Sequence, residues 1–161
     1  MLKYCIGVKS ANFRHGRNVL NLILCVDKVG GMLFNNRRVS RDREVTADIL
    51  KTVKGERLFV KPYSLKLFSE FDDYSLMTVC NDPLNEVSGG EWCFIEDEDV
   101  TPYLDKVERL LIYNWNREYP FELGFDMKIL DEQFRLTDKR KFVGYSHEEI
   151  TREIYRKQIK R

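Results

Sequence analysis

Leu20–Val26 (LNLILCV) is a short, nearly continuous apolar run, the pattern of a strand buried on both faces. Gly30-Gly31 breaks it, and the loop beyond carries Arg37, Arg38 and Arg41 before it reaches Asp42. Val45, Ile49, Leu50 and Val53 then recur at helical spacing, with Asp42 or Ser40 placed to cap the first turn. The unit is therefore a strand, a glycine-opened loop rich in arginine, and a helix with a carboxylate at its mouth. Open α/β sheets bind their ligands at such places, beyond the carboxyl ends of strands. Everything else in the chain must be built around this piece.

The remainder alternates. Lys54-Gly55 ends the first helix with a cation and a C-cap glycine. Arg57–Val60 is a short strand; Pro62 bars helix at Lys61, and Ser64 is placed to cap a second helix carrying Leu65, Phe68 and Phe71. Ser75–Cys80 is a third strand, Asn81–Gly90 a loop, and Glu91–Ile95 a fourth strand. Glu96-Asp97-Glu98-Asp99 follows, and Thr101-Pro102 opens a short third helix before the strand Leu110–Trp115. Strands alternating with helices imply a parallel sheet with right-handed crossovers. Beyond this point Phe121–Leu130, Gln133–Leu136 and Glu149–Tyr155 read as strands that close the sheet with antiparallel pairs. The fold class is thus α/β, a mainly parallel sheet flanked by helices and ending in an antiparallel C-terminal hairpin. Residues 1–18 form a basic extension without an acidic residue, either an edge strand through Tyr4–Val8 or a loose arm, and 19–161 form one domain.

Composition narrows the function classes. With 27 basic against 26 acidic residues there is no global attraction to nucleic acid or to an anionic membrane, and the basic residues lack interleaved aromatics. No apolar run nears the length that spans a bilayer, and no hydrophobic block of signal-peptide length stands before Lys3, Lys9, Arg14 and Arg17, so the chain reads as soluble and cytoplasmic. Cys5, Cys25, Cys80 and Cys93 are scattered, and three lie in apolar strand-like runs, so they read as buried thiols. His15 and His147 do not make a zinc pattern, and HxHxDH or HExxH runs are absent. No metal is expected, and the oligomeric state is left open.

The order of elements from Leu20 to Arg156 resembles the dihydrofolate reductase superfamily. Members open with an apolar strand, a short turn and a Gly-Ile or Gly-Met pair, as in Leu22–Val26, Asp27-Lys28 and Gly31-Met32. An active-site loop and a helix carrying the site carboxylate follow, where Asp42 stands in approximate place. Then come a strand and a Thr- or Ser-capped helix, as in Phe59-Val60 and Ser64. The resemblance implies that Asp42 is the catalytic-site carboxylate and that Met32 and Ser64 line the ligand site. Arg37, Arg38 and Arg41, on or next to the active-site loop, are placed to clamp a phosphate or carboxylate there.

The departures bear on function. The family's active-site loop carries Pro-Trp; here it is Asn35-Asn36-Arg37-Arg38-Val39. The family's Gly-Arg-x-Thr, which helps hold the cofactor's phosphates, is replaced by Lys61-Pro62-Tyr63-Ser64. The glycine-rich turn that admits a pyrophosphate is replaced by Glu96–Asp99, whose carboxylates would repel it. The resulting expectation is a degenerate reductase-like domain with no NADPH, binding a small anionic or nucleotide-like ligand at its arginine loop. Two alternatives stand beside it: an active reductase with an altered cofactor mode, and a protein-interaction module using segregated basic and acidic surfaces. Each residue also has a plainer role. A cap alone explains Asp42, solvated surface explains the arginines, and His147, the lone histidine inside the domain, is either structural or part of the site.

Overall fold

The computed structural model describes residues 3–4, 19–71 and 76–159. Lys3–Tyr4 forms β1 and Leu20–Val26 forms β2, after which β3 (Gly31–Phe34) and β4 (Arg37–Arg38) make a hairpin leading into α1 (Arg43–Thr52). Next come β5 (Leu58–Val60), α2 (Pro62–Phe68), β6 (Met77–Val79), the short α3 (Pro83–Glu86) and β7 (Trp92–Phe94). A 3-10 helix over Thr101–Lys106 enters β8 (Val107–Asn114). Then β9 (Leu123–Gly124) and α4 (Lys128–Gln133) precede the closing strands β10 (Phe134–Phe142) and β11 (Ile150–Lys157).

Eight strands form the main sheet in the order β1-β6-β5-β7-β2-β8-β11-β10. The six from β1 to β8 run parallel, and β11 and β10 are antiparallel. β2 is central, as an apolar run buried on both faces must be. Its side chains alternate with the pleat: Leu20, Leu22, Leu24 and Val26 enter one core, and Ile23 enters the other. Val45 and Ile49 of α1, Val53 at its C-cap and Phe68 of α2 cover the Ile23 face, while Ile129 and Leu130 of α4 pack on the opposite one. Helices therefore flank both faces, and the loops after β2, β5, β7 and β8 meet at one edge.

Several local expectations shift. The loop carrying Arg37 and Arg38 is an ordered hairpin, because Asn35 (φ 49°) and Asn36 (φ 59°) take the left-handed conformation of a two-residue turn. α2 starts earlier than a Ser64 cap allows: Lys61 caps it and Pro62 is its first residue, leaving Ser64 buried within the first turn. In the segment expected as strand over Phe121–Leu130, only Leu123–Gly124 is extended. There the Asp126 carboxylate accepts from Lys128 N at 3.0 Å, and Phe125, Ile129 and Leu130 bury at helical spacing, which starts α4. Asn81–Gly90, expected as loop, holds α3, opened by Pro83. The third helix is a 3-10 turn whose first N–H, from Thr101, is taken by Asp99 at 2.9 Å. Lys3 and Tyr4 pair with β6 at the sheet edge, and the rest of the N-terminal extension, with Cys5 and His15, lies outside the described residues. Cys93 is a buried thiol and Cys25 a half-buried one. Among the described residues, no helix is long and apolar enough to cross a membrane.

Candidate functional site

At the carboxyl edge β2 is followed by Asp27, which is fully buried. Its Oδ1 accepts from Val29 N (2.9 Å) and Gly31 N (2.7 Å), and its Oδ2 accepts from Tyr119 N (3.0 Å). One carboxylate thus fixes the turn after the central strand and ties the segment after β8 to it. Gly30 makes the turn possible: its φ is 102°, and a Cβ there would strike the Phe125 carbonyl.

The β3–β4 hairpin then delivers its arginines to opposite sides, as strand alternation requires. Arg37 is exposed. Arg38 turns inward, where its Nε and Nη2 donate to the two oxygens of Glu96 at 2.8 and 3.1 Å. Its backbone N–H donates to Tyr63 Oη at 2.9 Å, and its guanidinium lies 4.5 Å from the centre of that ring. Ser64 Oγ donates to Glu96 Oε2 at 2.7 Å. Glu96 is therefore a buried carboxylate held by a bidentate fork and a hydroxyl. Beside it, Lys61 Nζ meets Asp97 (2.9 Å) and Glu98 (2.8 Å). Burial opposes the Lys61 charge, but Glu98 and Asp97 overcome it and raise its pKa.

Asp42 caps α1 by accepting from Glu44 N at 2.9 Å. Four more groups reach it from the turn after β10, one of them the Ser146 hydroxyl, whose Oγ donates to Oδ2 at 3.3 Å. Tyr145 N donates to Oδ1 (2.8 Å), and Ser146 N (2.9 Å) and His147 Nδ1 (2.8 Å) bind Oδ2. Burial would raise this carboxyl, but the N–H groups of Ser146 and Tyr145, then His147 and Glu44, outweigh it and bring the pKa to about 2. The other nitrogen of His147, Nε2, lies 2.7 Å from Ser40 Oγ, and Tyr119 Oη donates to the same oxygen at 3.5 Å. The imidazole stacks on Trp115, centroids 4.8 Å apart and planes 27° apart.

A cleft of about 630 Å³ opens between this loop and α2, lined by Arg37, Arg38, Ser40 and Arg41 on one wall and Pro62, Tyr63 and Lys66 on the other. That volume lies in the usual range for a small-molecule site. A second recess of about 560 Å³ shares Arg37 and Arg38 and is bounded by Phe34, Tyr119 and Pro120. Of the residues expected at a site, Arg37, Arg38 and Arg41 meet at the cleft, but Arg38 is already committed to Glu96. Met32, within β3, turns into the core, and Ser64 faces Glu96 instead of open space. The acceptor positions of Asp42 are taken by its own chain. Among the described residues, no cluster of three or more His, Cys, Asp or Glu could hold a metal.

No family model matches the sequence, and no curated protein matches it. Its backbone, in contrast, superimposes on dihydrofolate reductase from Enterococcus faecalis, in a structure complexed with NADP(H) and RAB-propyl. The TM-score is 0.61 over 88% of this chain and 97% of the other, at 9% sequence identity. The chain has the dihydrofolate reductase fold. At that identity the likeness speaks for architecture alone.

The sequence does not announce the part three residues play at this edge. By sequence Ser40 reads as a helix cap and Tyr63 as a departure from the family's motif, while Tyr119 carries no signal. The signal for the first two was the Asn35-Asn36 pair, which marks a hairpin and so sets which arginine faces α2. No local pattern brings Tyr119 to Ser40, because the buried Asp27 makes that link.

Proposed function

We propose that this reductase-fold domain binds a small anionic ligand, such as a phosphorylated or carboxylated nucleotide-sized molecule, in the cleft between the arginine hairpin and α2. The observation that carries the reading is the charge balance of the cleft walls. Arg38 and Lys61 are neutralised by Glu96, Asp97 and Glu98. Arg37, Arg41 and Lys66, by contrast, face the cleft, and no side-chain hydrogen bond or ion pair engages them among the described residues. Three unpaired cations around one concave space attract an anion, and two of them carry planar forks suited to phosphate or carboxylate. Tyr63 adds an aromatic ring on the opposite wall, beside Lys66.

NADPH, as held by the reductases the sequence resembles, does not fit the turn after β7. That turn presents the side chains of Glu96, Asp97 and Glu98 where bare backbone is needed. The Asp99 carboxylate already occupies the Thr101 N–H that a phosphate would use. The reading is therefore of a retained cleft with a replaced chemistry. Mass spectrometry of the protein purified without added nucleotide and then denatured tests it. The expected result is a copurifying phosphorylated or carboxylated small molecule, lost when Arg37 and Arg41 are both changed to Ala. Stoichiometric NADP(H), or a neutral lipid-like ligand, would overturn it.

A further inference from the structure

We propose that Ser40 is a nucleophile activated by His147 and Asp42, and that the cleft hydrolyses carboxylic esters bearing an anionic group. The preference for an anionic ester rests on the anion-binding reading above; the nucleophile rests on geometry of its own. Ser40 Oγ lies 2.7 Å from His147 Nε2, and His147 Nδ1 lies 2.8 Å from Asp42 Oδ2. This is the order of contacts in which an aspartate orients a histidine that takes the proton of a serine. The proton positions follow from the partners. Asp42 receives backbone N–H groups from Glu44, Tyr145 and Ser146, which only donate, so it is held as a carboxylate. Its contact with Nδ1 then requires the proton on that nitrogen. Nε2 is left with its lone pair toward Ser40, whose hydroxyl must donate to it. The stack on Trp115 fixes the ring.

The plainer assignment of Ser40, a helix cap, is taken by Asp42. The partners of its hydroxyl are His147 and Tyr119. Asp42 and His147 are buried, while Ser40 is half-buried and lines the cleft, so the reactive oxygen is the member of the set that a ligand can reach. Among the described residues no hydrogen bond engages the backbone N–H of Ser40 or Arg41. Those groups, with the Arg37 and Arg41 guanidiniums, are the donors available to a developing oxyanion.

In the reaction, Ser40 Oγ bonds to the ester carbonyl carbon as its proton passes to His147 Nε2. The tetrahedral adduct collapses, the carbon–oxygen bond to the alcohol breaks, and the alcohol leaves with the proton from Nε2. Water then attacks the acyl-serine and gives a proton to Nε2. That proton returns to Ser40 Oγ as the carboxylic acid departs. The sum is ester plus water to acid plus alcohol, with no other reactant.

A neutral alkyl fluorophosphonate tests the nucleophile without calling on the arginines. Applied to the full chain and read by intact mass and peptide mapping, it is expected to give one adduct, on Ser40. The adduct should be absent in Ser40→Ala and should form at least 100-fold more slowly in His147→Gln. No adduct on Ser40, or an unchanged rate in a folded His147→Gln protein, would overturn the proposal. Where His147→Gln fails to fold, the wild-type map decides: an adduct on Ser40 with none on exposed Ser69 and Ser146 supports it, and scattered adducts refute it. The 4-nitrophenyl esters of succinate and acetate then test the anion preference separately. The expected kcat/KM ratio is at least tenfold in favour of the succinate ester, falling toward one in Arg37→Ala. Labelled Ser40 with no such preference would refute the anionic-ester part of the proposal and leave the nucleophile standing.

Discussion

Ser40 Oγ and His147 Nε2 are 2.7 Å apart although 107 residues separate them in the chain. Asp42 makes the approach possible. It draws the turn after β10 onto the mouth of α1 by accepting from Tyr145 and Ser146, and His147 arrives with them. The turn closes on itself through Gly144 N donating to the His147 carbonyl at 2.9 Å. A cap residue thus fastens the C-terminal hairpin to the helix that opens the site.

Asp42 should give the protein a pH-dependent component of stability. Its folded pKa, about 2, lies below the ordinary aspartate value. A carboxylate depressed on folding stabilises fully above its unfolded pKa and loses that contribution as pH falls toward the folded one. The expected loss is about 2 kcal/mol between pH 5 and pH 2. Urea denaturation across that interval, against Asp42→Asn, is the check. The variant should start less stable at pH 7, and its deficit should shrink as the solution is acidified. A deficit that stays constant with pH would contradict the assignment.

Gly144 should not accept even a methyl group. A Cβ there would lie 2.5 Å from Asp42 Oδ2 and 2.7 Å from Ile150 Cδ1. Gly144→Ala is expected to cost about 1–3 kcal/mol by forcing the turn off the carboxylate. The same variant should show altered imidazole resonances for His147 in NMR spectra. Wild-type stability with unchanged resonances would mean that the turn has slack.

Arg38 should behave as a structural residue. From the sequence it reads as one loop arginine among several, dispensable to the core. Its guanidinium is instead tied to the buried Glu96. Arg38→Ala is expected to destabilise by about 3 kcal/mol, because it strands a buried carboxylate. Adding Glu96→Gln should recover part of that loss, a coupling measurable in a double-mutant cycle. Additive effects would show that the pair is not coupled. Arg37→Ala, one residue away but exposed, should leave the melting temperature nearly unchanged.

How far the sequence could be read depended on the range of the forces involved. β2 was legible because seven residues of one apolar run need no distant partner to be recognised as buried. The parallel order and the C-terminal hairpin followed from alternation and chain length. α4 was not seen: Phe125, Ile129 and Leu130 read equally well as strand until the Asp126 side chain starts a helical turn. At the site the arginine loop could be located but its arginines could not be told apart. Their division follows from Glu96, 58 residues further on, which withdraws one of them from the cleft. The same limit hid the His147 contacts, since nothing near position 147 points to Asp42 or Ser40.

The central claim is that the cleft selects anions through Arg37 and Arg41 and has given up the dinucleotide. Isothermal titration of the full chain with inorganic pyrophosphate and, separately, with NADPH tests it most directly. The account predicts measurable pyrophosphate binding that weakens by about 1.5–3 kcal/mol in Arg37→Ala and again in Arg41→Ala, the scale of a charged hydrogen bond. It also predicts that binding weakens as salt rises and that NADPH gains nothing from its nicotinamide half. Micromolar NADPH binding that survives both arginine substitutions, with no pyrophosphate binding, would contradict it.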